Sequence, residues 1–455
     1  MTSTSGAATM NQAGINQPVL THVFAKDSET FSRYWLEGLA RIAALPARRS
    51  RTEAQQAEAE KILAEARAQR LVFLDAHVAA VYRALTNDLR SFKRVEHLAL
   101  AAAEKVPGLC PDPATISKEN ALVQSEKDGH ELDQGLFFNR VLADPDCGRH
   151  LCHAMLLPRK EALEKLDQLK RDGKVELEHA SVERRGKASI VLMKNPRYLN
   201  AEDDTTVADV EVAVDLAMLD PATTVCVLRG DVIGTGKYAG QRAFCTGINL
   251  THLYYGRISY LWYLVREMGF INKMFRGLAY EHTTPEEMLG TSLEKPWITA
   301  IEKFAIGGGC QYLLAADYNI AARDAYMTLP ARKEGIIPGA ANLRMPRFVG
   351  DRITRQAIMM DRRIDCDSDA GRMICDLIVE PTEVDAAIDG VIDNLTNSGV
   401  VSAASNRRAM RIAHEPLDLF RTFMSVYARE QAYCHYSPAL ISNLERFWNA
   451  QNRKM

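Results

Sequence analysis

The sequence lacks both a marked excess of charge of one sign and an apolar run of membrane-spanning length. Its 56 basic residues nearly balance its 58 acidic residues, so no bulk attraction to nucleic acid or to an anionic membrane is expected. Residues 1–16 show neither the charged region nor the apolar region of a signal peptide, and we predict a disordered tail there. These absences predict a cytoplasmic protein that binds neither nucleic acid nor membrane.

The cysteines do not form the pattern of a disulfide framework. There are nine, an odd number, scattered mostly within apolar segments, as Cys226, Cys310 and Cys375 illustrate. Cysteines in such segments are typical of buried, reduced thiols in a cytoplasmic protein.

One cluster, formed by Cys147, His150, Cys152 and His153, contains the residue types of a metal site. Its spacing is tighter than structural zinc sites usually allow, and no second pair follows at zinc-finger spacing. The alternative is one helical turn with a buried cysteine and exposed histidines. We favour that alternative and predict no metal.

The chain divides into regions of different periodicity. Its 455 residues predict two or three domains. Residues 17–174 carry helix patterns with few strand signals, residues 175–385 alternate strands with helices, and residues 386–455 are helical again. The middle alternation is typical of an α/β layered unit. The N-terminal helical domain is either an extension that covers substrate or forms an oligomer, or a plain helical scaffold.

Two glycine turns, each after a predicted buried strand, give the first indication of a site. Residues 307–309 follow the apolar run 297–301, and residues 246–249 come after the run 224–228. Glycines at a helix start let unpaired backbone N–H groups approach a ligand, although a glycine triplet alone is as often a packing device. Two such turns that each offer one N–H to the same oxygen predict an oxyanion hole.

Four segments share their order and spacing with one known superfamily. They are residues 195–201 (Asn-Pro-Arg-Tyr-Leu-Asn-Ala), 244–249, 307–317 and 335–340. On these segments the chain resembles the crotonase (enoyl-CoA hydratase/isomerase) superfamily from about residue 175 to residue 385. The resemblance implies an α/β fold, a crotonase-like spiral of ββα units with an N-terminal helical domain and C-terminal helices. It also implies a coenzyme A thioester whose carbonyl is polarised by the amides of Ile248 and Gly308 as an enolate forms.

Two departures from that superfamily concern the residues that handle protons. Its hydratases carry glutamates where this chain has Gln311 and Ala331. Addition of water to a double bond needs a positioned proton donor and acceptor, and neither an amide nor a methyl group can fill those roles. We therefore expect no ordinary hydratase activity.

One branch of the superfamily fits these departures. The chain resembles the cofactor-independent dioxygenases that act on (3,5-dihydroxyphenyl)acetyl-CoA in glycopeptide-antibiotic precursor synthesis. The resemblance rests on the long helical N-terminal extension and on five residues, Glu202, Arg266, Gln311, Ala331 and Ile336. The resemblance implies dioxygen as co-substrate, no metal or organic cofactor, and (3,5-dihydroxyphenyl)glyoxylate and coenzyme A as products. It does not identify the base that removes the α-proton.

The same resemblance assigns roles to individual residues. Ile248, Gly308 and Gln311 are the predicted catalytic residues, and Ala331 and Ile336 line an apolar dioxygen pocket. Glu202 and Arg266 suit the two phenolic hydroxyls, and the predicted substrate-binding loops add Gly247, Asn249 and Gly309. Arg197, Leu199 and Lys237 are predicted to bind coenzyme A.

Several of these assignments have a structural alternative. Arg266 lies at the edge of an apolar helix stripe, where a cation often extends to solvent, and Glu202 precedes a helix whose dipole it would complement. Arg197 and Lys237 could be plain surface charges. His435 and Tyr436 could cover the site, although a solvent-exposed helix end is the favoured interpretation.

Two other functions remain open from the sequence. A thioesterase or decarboxylase of this superfamily would use the same oxyanion hole without oxygen. A non-catalytic scaffold or RNA-binding relative would also explain the missing glutamates, although the balanced charge argues mildly against RNA. Members of the superfamily commonly form trimers and paired trimers, so we predict a trimer or hexamer in each case.

Overall fold

The computed structural model describes residues 17–397 and 400–455, so the predicted tail at residues 1–16 lies outside the described residues. The N-terminal region is helical, as predicted. Its helices are α1 Phe24–Ala43, α2 Glu53–Leu85, α3 Val95–Lys105, α4 Pro113–Asn120, α5 Leu132–Ala143, α6 Pro145–Leu156 and α7 Lys160–Asp172.

Local signals set several of these helix ends. The sequence predicts a capping box at Thr52 and Gln55, and this box opens α2. It also predicts a helix end at Gly173, which ends α7 in a left-handed conformation with φ 71°. The sequence pattern predicts a helix over residues 88–105, but α3 begins only at Val95. Residues 87–89 have positive φ and cannot continue a right-handed helix.

A seven-stranded sheet begins where the helices end. It is built from β1 Lys174–Glu176, β2 Ala180–Arg185, β3 Ala188–Met193, β4 Val225–Gly230, β7 Trp297–Ile301, β9 Tyr318–Ala322 and β12 Leu377–Val379, in that spatial order. β1, β2 and β3 pair antiparallel, and from β3 onward each neighbour is parallel. Parallel neighbours need crossover connections, which the helices between them supply.

Two smaller sheets complete the strand framework. β8 Phe304–Ile306 and β10 Tyr326–Thr328 run parallel, with β11 Ile364–Asp365 antiparallel at the edge, and β5 Leu278–Ala279 pairs with β6 Ser292–Leu293. β8 leads directly into the glycine turn at residues 307–309, so this sheet positions that turn.

The remaining helices follow in two groups. The middle region contains α8 Asp204–Leu219, α9 Leu250–Tyr254, α10 Tyr260–Arg266, α11 Asn272–Arg276, α12 Gly308–Ala315, α13 Ala331–Glu334, α14 Ala341–Arg344 and α15 Pro346–Met360. The C-terminal region contains α16 Val384–Asn397, α17 Val400–His414, α18 Leu417–His435 and α19 Pro438–Trp448. The alternation of strands and helices predicted after residue 175 is confirmed, whereas the domain boundaries themselves stay predictions.

The helical spacing of apolar residues predicts a single helix over residues 257–280, and the structure differs from this prediction. The segment consists of α10, a π-type turn Glu267–Ile271 and α11. Gly269 breaks the helix with φ −84° and ψ −117°, and an added Cβ there would lie 2.9 Å from the Glu211 carboxylate. Close packing against a buried carboxylate therefore causes the kink.

Two C-terminal predictions are wrong. The sequence pattern predicts a helix over residues 369–376, but only the short turn Gly371–Met373 is helical. His435 is fully buried rather than exposed, and its Nδ1 lies 3.2 Å from the Tyr263 hydroxyl. The added helix α19 packs beside this end of α18 and removes it from solvent.

The cysteines and the cysteine–histidine cluster are buried. Of the nine cysteines eight are buried and Cys434 is half-buried, and within the described ranges all are free thiols. His150 contacts the Tyr82 hydroxyl and His153 contacts the Tyr280 carbonyl, so the expected exposure of both histidines is wrong. Between residues 17 and 455, the masked pair 398–399 aside, no three such side chains are grouped to hold a metal ion.

One continuous apolar core joins the helical and the α/β regions, with buried side chains from Phe31 to Ala450. No helix in the described part of the chain has the length and hydropathy needed to cross a membrane.

Candidate active site

The first glycine turn is held by a short parallel bridge to Glu202. The Glu202 N–H donates to the Gly247 carbonyl at 2.8 Å, and the Glu202 carbonyl accepts from the Asn249 N–H at 2.7 Å. These two hydrogen bonds use backbone groups of the residues on either side of Ile248. The N–H of Ile248 itself has no hydrogen-bond partner among the described residues.

The second glycine turn lies directly against the first. The Ile306 N–H donates to the Cys245 carbonyl at 2.9 Å, which joins β8 to the first turn. Gly308 is the first residue of α12, and its N–H also lacks a partner within the described ranges. An added Cβ on Gly247, whose φ is 71°, would lie 2.6 Å from the Gly308 nitrogen. Two unpaired N–H groups therefore occur on touching turns, which is the arrangement that an oxyanion hole requires.

Asn249 and Gly309 are engaged with the protein itself. The Asn249 side chain caps α9 by accepting from the His252 N–H, and it donates to Asp203 at 3.1 Å. An added Cβ on Gly309 would lie 2.6 Å from the Cys245 carbonyl oxygen. Both residues shape the loops here, and their role in substrate binding stays a prediction.

Arg266 is the centre of a buried hydrogen-bond network beside these turns. Its Nε and Nη2 donate to the two carboxylate oxygens of Glu202, at 2.8 and 2.9 Å. Its Nη1 donates to Glu267 at 2.6 Å and to the Gln311 Oε1 at 2.7 Å, and Nη2 also donates to the Gly308 carbonyl at 2.9 Å. All five N–H donors of the guanidinium are therefore used. The alternative in which Arg266 extends to solvent is wrong, because only 1% of it is exposed.

Aromatic side chains enclose the guanidinium. The rings of Trp262, Phe270 and Tyr312 have centroids 5.8, 5.8 and 5.1 Å from its central carbon. The Tyr312 hydroxyl also donates to Glu202. The chain thus brings a fixed cation and a fixed carboxylate next to the second glycine turn.

Charge balance within this network explains the amide at position 311. Burial tends to lower the pKa of Arg266, but the charges of Glu202, Tyr312 and Glu267 hold it well above its usual value. Burial raises the pKa of Glu267, against the opposing charge of Arg266. One cation already faces two carboxyl groups, so a third carboxylate at this position would be poorly compensated. Because Arg266 fixes the oxygen of Gln311, the Nε2 group of Gln311 is left as a donor.

The far wall of the network is the loop after α13. The Ala340 N–H donates to Glu267 at 3.0 Å. An added Cβ on Gly339 would lie 2.4 Å from the Gln311 oxygen. Ala331 opens α13 and is 5% exposed, and the Ile336 N–H contacts its carbonyl at 3.3 Å. The two predicted oxygen-pocket residues are therefore adjacent, while their contact with dioxygen stays a prediction.

The predicted coenzyme A residues lie on two neighbouring loops. Leu199 packs with Tyr238 in a small apolar cluster, and the Thr246 hydroxyl contacts the Leu199 carbonyl at 3.2 Å, which connects these loops to the first glycine turn. Arg197 and Lys237 are exposed and rest on tyrosine rings, and neither forms an ion pair within the described residues. Two available cations beside the turn fit a phosphate-bearing ligand, and this role also stays a prediction.

Three residues of the site were not anticipated from the sequence. Glu267 and Tyr312 directly follow the predicted residues Arg266 and Gln311. Adjacency in sequence does not indicate where their side chains point. Glu334 lies one helical turn after Ala331 and is 4% exposed. A carboxylate at helical spacing from the predicted pocket residue was the available signal.

Comparisons with known proteins identify the family of the chain. The family model described as enoyl-CoA hydratase/isomerase matches residues 185–433. A protein named (3,5-dihydroxyphenyl)acetyl-CoA 1,2-dioxygenase from Amycolatopsis orientalis is 43% identical over 404 residues, covering 89% of this chain and 92% of that protein. A short-chain-enoyl-CoA hydratase from Clostridium acetobutylicum is 25% identical, covering 52% of this chain and 82% of that protein.

Among solved structures, an enoyl-CoA hydratase from Mycobacterium avium subsp. paratuberculosis matches with a TM-score of 0.47 and 19% identity, covering 59% of this chain and 98% of that one. The family model spans more than half of the chain, and the relative from Amycolatopsis orientalis extends the likeness over the N-terminal helices. The chain therefore belongs to the enoyl-CoA hydratase/isomerase family, whose fold is the crotonase fold.

Proposed function

We propose that this chain is a dioxygenase that converts (3,5-dihydroxyphenyl)acetyl-CoA and dioxygen into (3,5-dihydroxyphenyl)glyoxylate and coenzyme A. The observation that carries the proposal is the 43% identity, over 89% of the chain, to a relative of that name. The substitutions Gln311 and Ala331 support it, because they remove the two carboxylates that hydration would need.

The reaction begins with an enolate. Removal of an α-proton moves an electron pair onto the thioester oxygen, and the unpaired N–H groups of Ile248 and Gly308 are suited to stabilise the negative charge. The aryl group spreads the same charge further. The enolate then supplies the electrons that reduce dioxygen, and we propose that no metal or organic cofactor takes part.

The later steps balance without another reagent. A peroxide forms at the α-carbon and attacks the thioester carbonyl, which expels coenzyme A as its thiolate. The remaining α-hydrogen leaves as a proton while the O–O bond breaks, so both oxygen atoms enter the product. The α-carbon is oxidised from a CH2 group to a ketone, and the dioxygen molecule is fully reduced. The two α-hydrogens end as one thiol hydrogen and one free proton.

Recognition of the phenolic hydroxyls imposes a condition on the Arg266 network. We propose that Glu202 and Arg266 bind them, as the sequence predicts. Because all five donors of Arg266 already have partners, a hydroxyl can join only by sharing or replacing one of them. The Nε2 group of Gln311 is a further donor that could contact the substrate without that exchange.

Finer proposals concern the setting of the enzyme. Arg197, Leu199 and Lys237 would hold coenzyme A, and the two cations would meet its phosphates. The assembly would be a trimer or hexamer in the cytoplasm, and the reaction would serve the synthesis of an antibiotic precursor. Light scattering of the purified protein would test the assembly.

Isotope labelling tests the chemistry. With ¹⁸O-labelled dioxygen and ordinary water, the proposal expects two labelled oxygens in the glyoxylate, one in the ketone and one in the carboxylate. Mass spectrometry of the product, quenched rapidly to limit ketone exchange, would measure them. Release of coenzyme A with an unlabelled arylacetate as the only product would instead identify a thioesterase.

A further inference from the structure

Glu334 is a buried carboxyl group that the mechanism above does not use. It is 4% exposed, and its side chain accepts no hydrogen bond and forms no ion pair within the part of the chain that the structure describes. Unpartnered buried carboxyl groups are costly, because burial removes water without replacing it. The family's hydratase carboxylates fall at positions 311 and 331, so nothing about the family assigns a role to this one.

The side chain points toward the second glycine turn. An ideal Cβ built on Gly307 would lie 3.8 and 3.9 Å from the two carboxyl oxygens of Glu334. Gly307 directly precedes Gly308, whose unpaired N–H is a candidate oxyanion donor. The carboxyl group therefore adjoins the turn at which the thioester carbonyl is proposed to bind.

Helix geometry relates Glu334 to the pocket. Ala331 and Glu334 are the first and last residues of α13, and the Gly335 N–H closes the turn on the Ala331 carbonyl at 2.7 Å. Residues three apart lie on the same face of a helix. The small side chain of Ala331 leaves room on that face, and Glu334 is one turn further along it.

The groups that surround Glu334 favour its neutral form. Burial raises its pKa to about 8, and the charge of Asp361 adds to the rise. Asp361 is itself paired with Arg332 and Lys333. Helix α19 presents the uncharged Leu440, Asn443 and Trp448 to this turn.

Two other titratable side chains near Glu334 stay uncharged near neutral pH. Burial raises the pKa of the Cys310 thiol and of the Tyr263 phenol well above their usual values. The conjugate base of such a carboxyl group is stronger than an ordinary glutamate.

We propose, on the basis of the function proposed above, that Glu334 is the base that removes the α-proton of the bound thioester. The proton passes from the α-carbon to a carboxylate oxygen of Glu334. The electron pair of the C–H bond moves into the enolate, whose oxygen faces the N–H groups of Ile248 and Gly308. After coenzyme A leaves as a thiolate, the proton held by Glu334 can return to that sulfur, which restores the carboxylate.

Exchange of the α-protons without oxygen isolates this step. Enzyme and (3,5-dihydroxyphenyl)acetyl-CoA are mixed in D2O under argon, and NMR follows the loss of the α-CH2 signal. The wild type is expected to exchange the signal. Glu334→Gln is expected to exchange at least about 100-fold more slowly, because general-base catalysis contributes roughly that factor or more.

Four measurements keep the result interpretable. Glu334→Gln should still unfold cooperatively on heating, and its Kd for coenzyme A should be unchanged. The matched control is Glu445→Gln on α19, whose carboxylate accepts only from the Tyr254 hydroxyl, and it should exchange like the wild type. Glu334→Asp retains a carboxylate at a shorter reach, so an intermediate exchange rate is expected even if the glutamine variant does not fold.

The outcomes separate the two proposals. Exchange by Glu334→Gln within about threefold of the wild-type rate would overturn the assignment of the base and leave the dioxygenase proposal intact. A folded wild type that exchanges no α-proton would overturn the enolate mechanism, and with it the role of Glu334.

Discussion

At the residue scale, the site depends on one saturated guanidinium. Arg266 joins Glu202, Glu267, Gln311 and the Gly308 carbonyl through all five of its donors. Lysine offers three donors from one point and cannot reproduce a planar fork. The arrangement of both the Gln311 amide and the second glycine turn therefore depends on arginine at this position.

Arg266→Lys should lower stability and activity together. At least one buried carboxyl group loses its partner, and removal of one member of a buried pair costs about 3–5 kcal/mol. Urea unfolding and dioxygen uptake would measure the two effects. Arg355→Lys is the matched control, because its pair with Asp351 is exposed and should change stability by less than about 1 kcal/mol. Equal stability of the two variants would contradict the network.

Gln311→Glu tests the charge argument. A third carboxyl group would face Arg266, so we expect the variant to lose stability above neutral pH, where that group tends to ionise, and to recover it in acid. The Nε2 donor is also lost, and turnover should fall by at least about tenfold. Thermal unfolding at pH 5 and pH 8 would show the effect. The exposed control Gln451→Glu should show none.

Glu334 is expected to make the stability of the protein fall as pH rises. Its pKa is about 8 when folded and near 4.5 when unfolded, so between these values the folded state holds the extra proton. Stability from this group is complete below pH 4.5 and is lost as pH rises through 8, by at most about 5 kcal/mol. The stability of Glu334→Gln relative to the wild type should therefore be greater at pH 9 than at pH 6. A constant difference in unfolding free energy at the two pH values would contradict the buried, unpartnered state.

At the scale of elements, two turns and one kink build the site. Gly247 and Gly308 touch where β8 meets the first turn, and the kink at Gly269 ends α10 just beyond Arg266 and Glu267. Glycine is required at the first of these positions, because φ is 71° and a Cβ would overlap the Gly308 nitrogen.

Gly247→Ala should therefore damage catalysis more than binding. The two turns must move apart, which separates the N–H groups that we propose stabilise the enolate. Loss of one donor of an oxyanion hole costs about 100-fold or more in kcat. Steady-state kinetics and coenzyme A binding would separate the effects. Gly390→Ala is the control, because a Cβ there meets no atom within 4 Å. A kcat unchanged by Gly247→Ala would contradict the oxyanion hole.

Local signals in the sequence predicted most elements but not their interruptions. The capping box at Thr52, the glycine cap at Gly173 and the strand alternation were readable, because they depend on neighbouring residues. The kink at Gly269 depends on Glu211, which lies 58 residues away in α8, so no local pattern contained it. His435 was misassigned for the same reason, since it is buried by partners distant in sequence.

At the scale of the whole molecule, buried charges connect the N-terminal helices to the site region. Arg94 at the start of α3 donates to Glu211 at 2.8 Å, and Lys273 in α11 contacts both Glu211 and Asp215 at 2.8 Å. The same Glu211 packs against the kink at Gly269. The N-terminal helices thus support the segment that carries Arg266, while their role in covering substrate or forming an oligomer stays a prediction.

The site residues are distant in sequence, so resemblance rather than pattern identified them. Glu202, Arg266 and Gln311 are separated by 64 and 45 positions, and only a folded chain brings them together. The sequence pattern could mark each residue as unusual. It could not show that Glu202 and Gln311 bind the same guanidinium group. The partners Glu267 and Tyr312, and the isolated carboxyl group of Glu334, required the structure.

The most direct test of the account measures dioxygen and thiol together. Purified protein treated with a chelator is mixed with (3,5-dihydroxyphenyl)acetyl-CoA, with an oxygen electrode and a thiol reagent recording the same reaction. The account predicts one coenzyme A released for each dioxygen consumed, with no loss of rate after metal removal. Thiol release without oxygen uptake would contradict the dioxygenase, and oxygen uptake restored only by added metal would contradict cofactor independence.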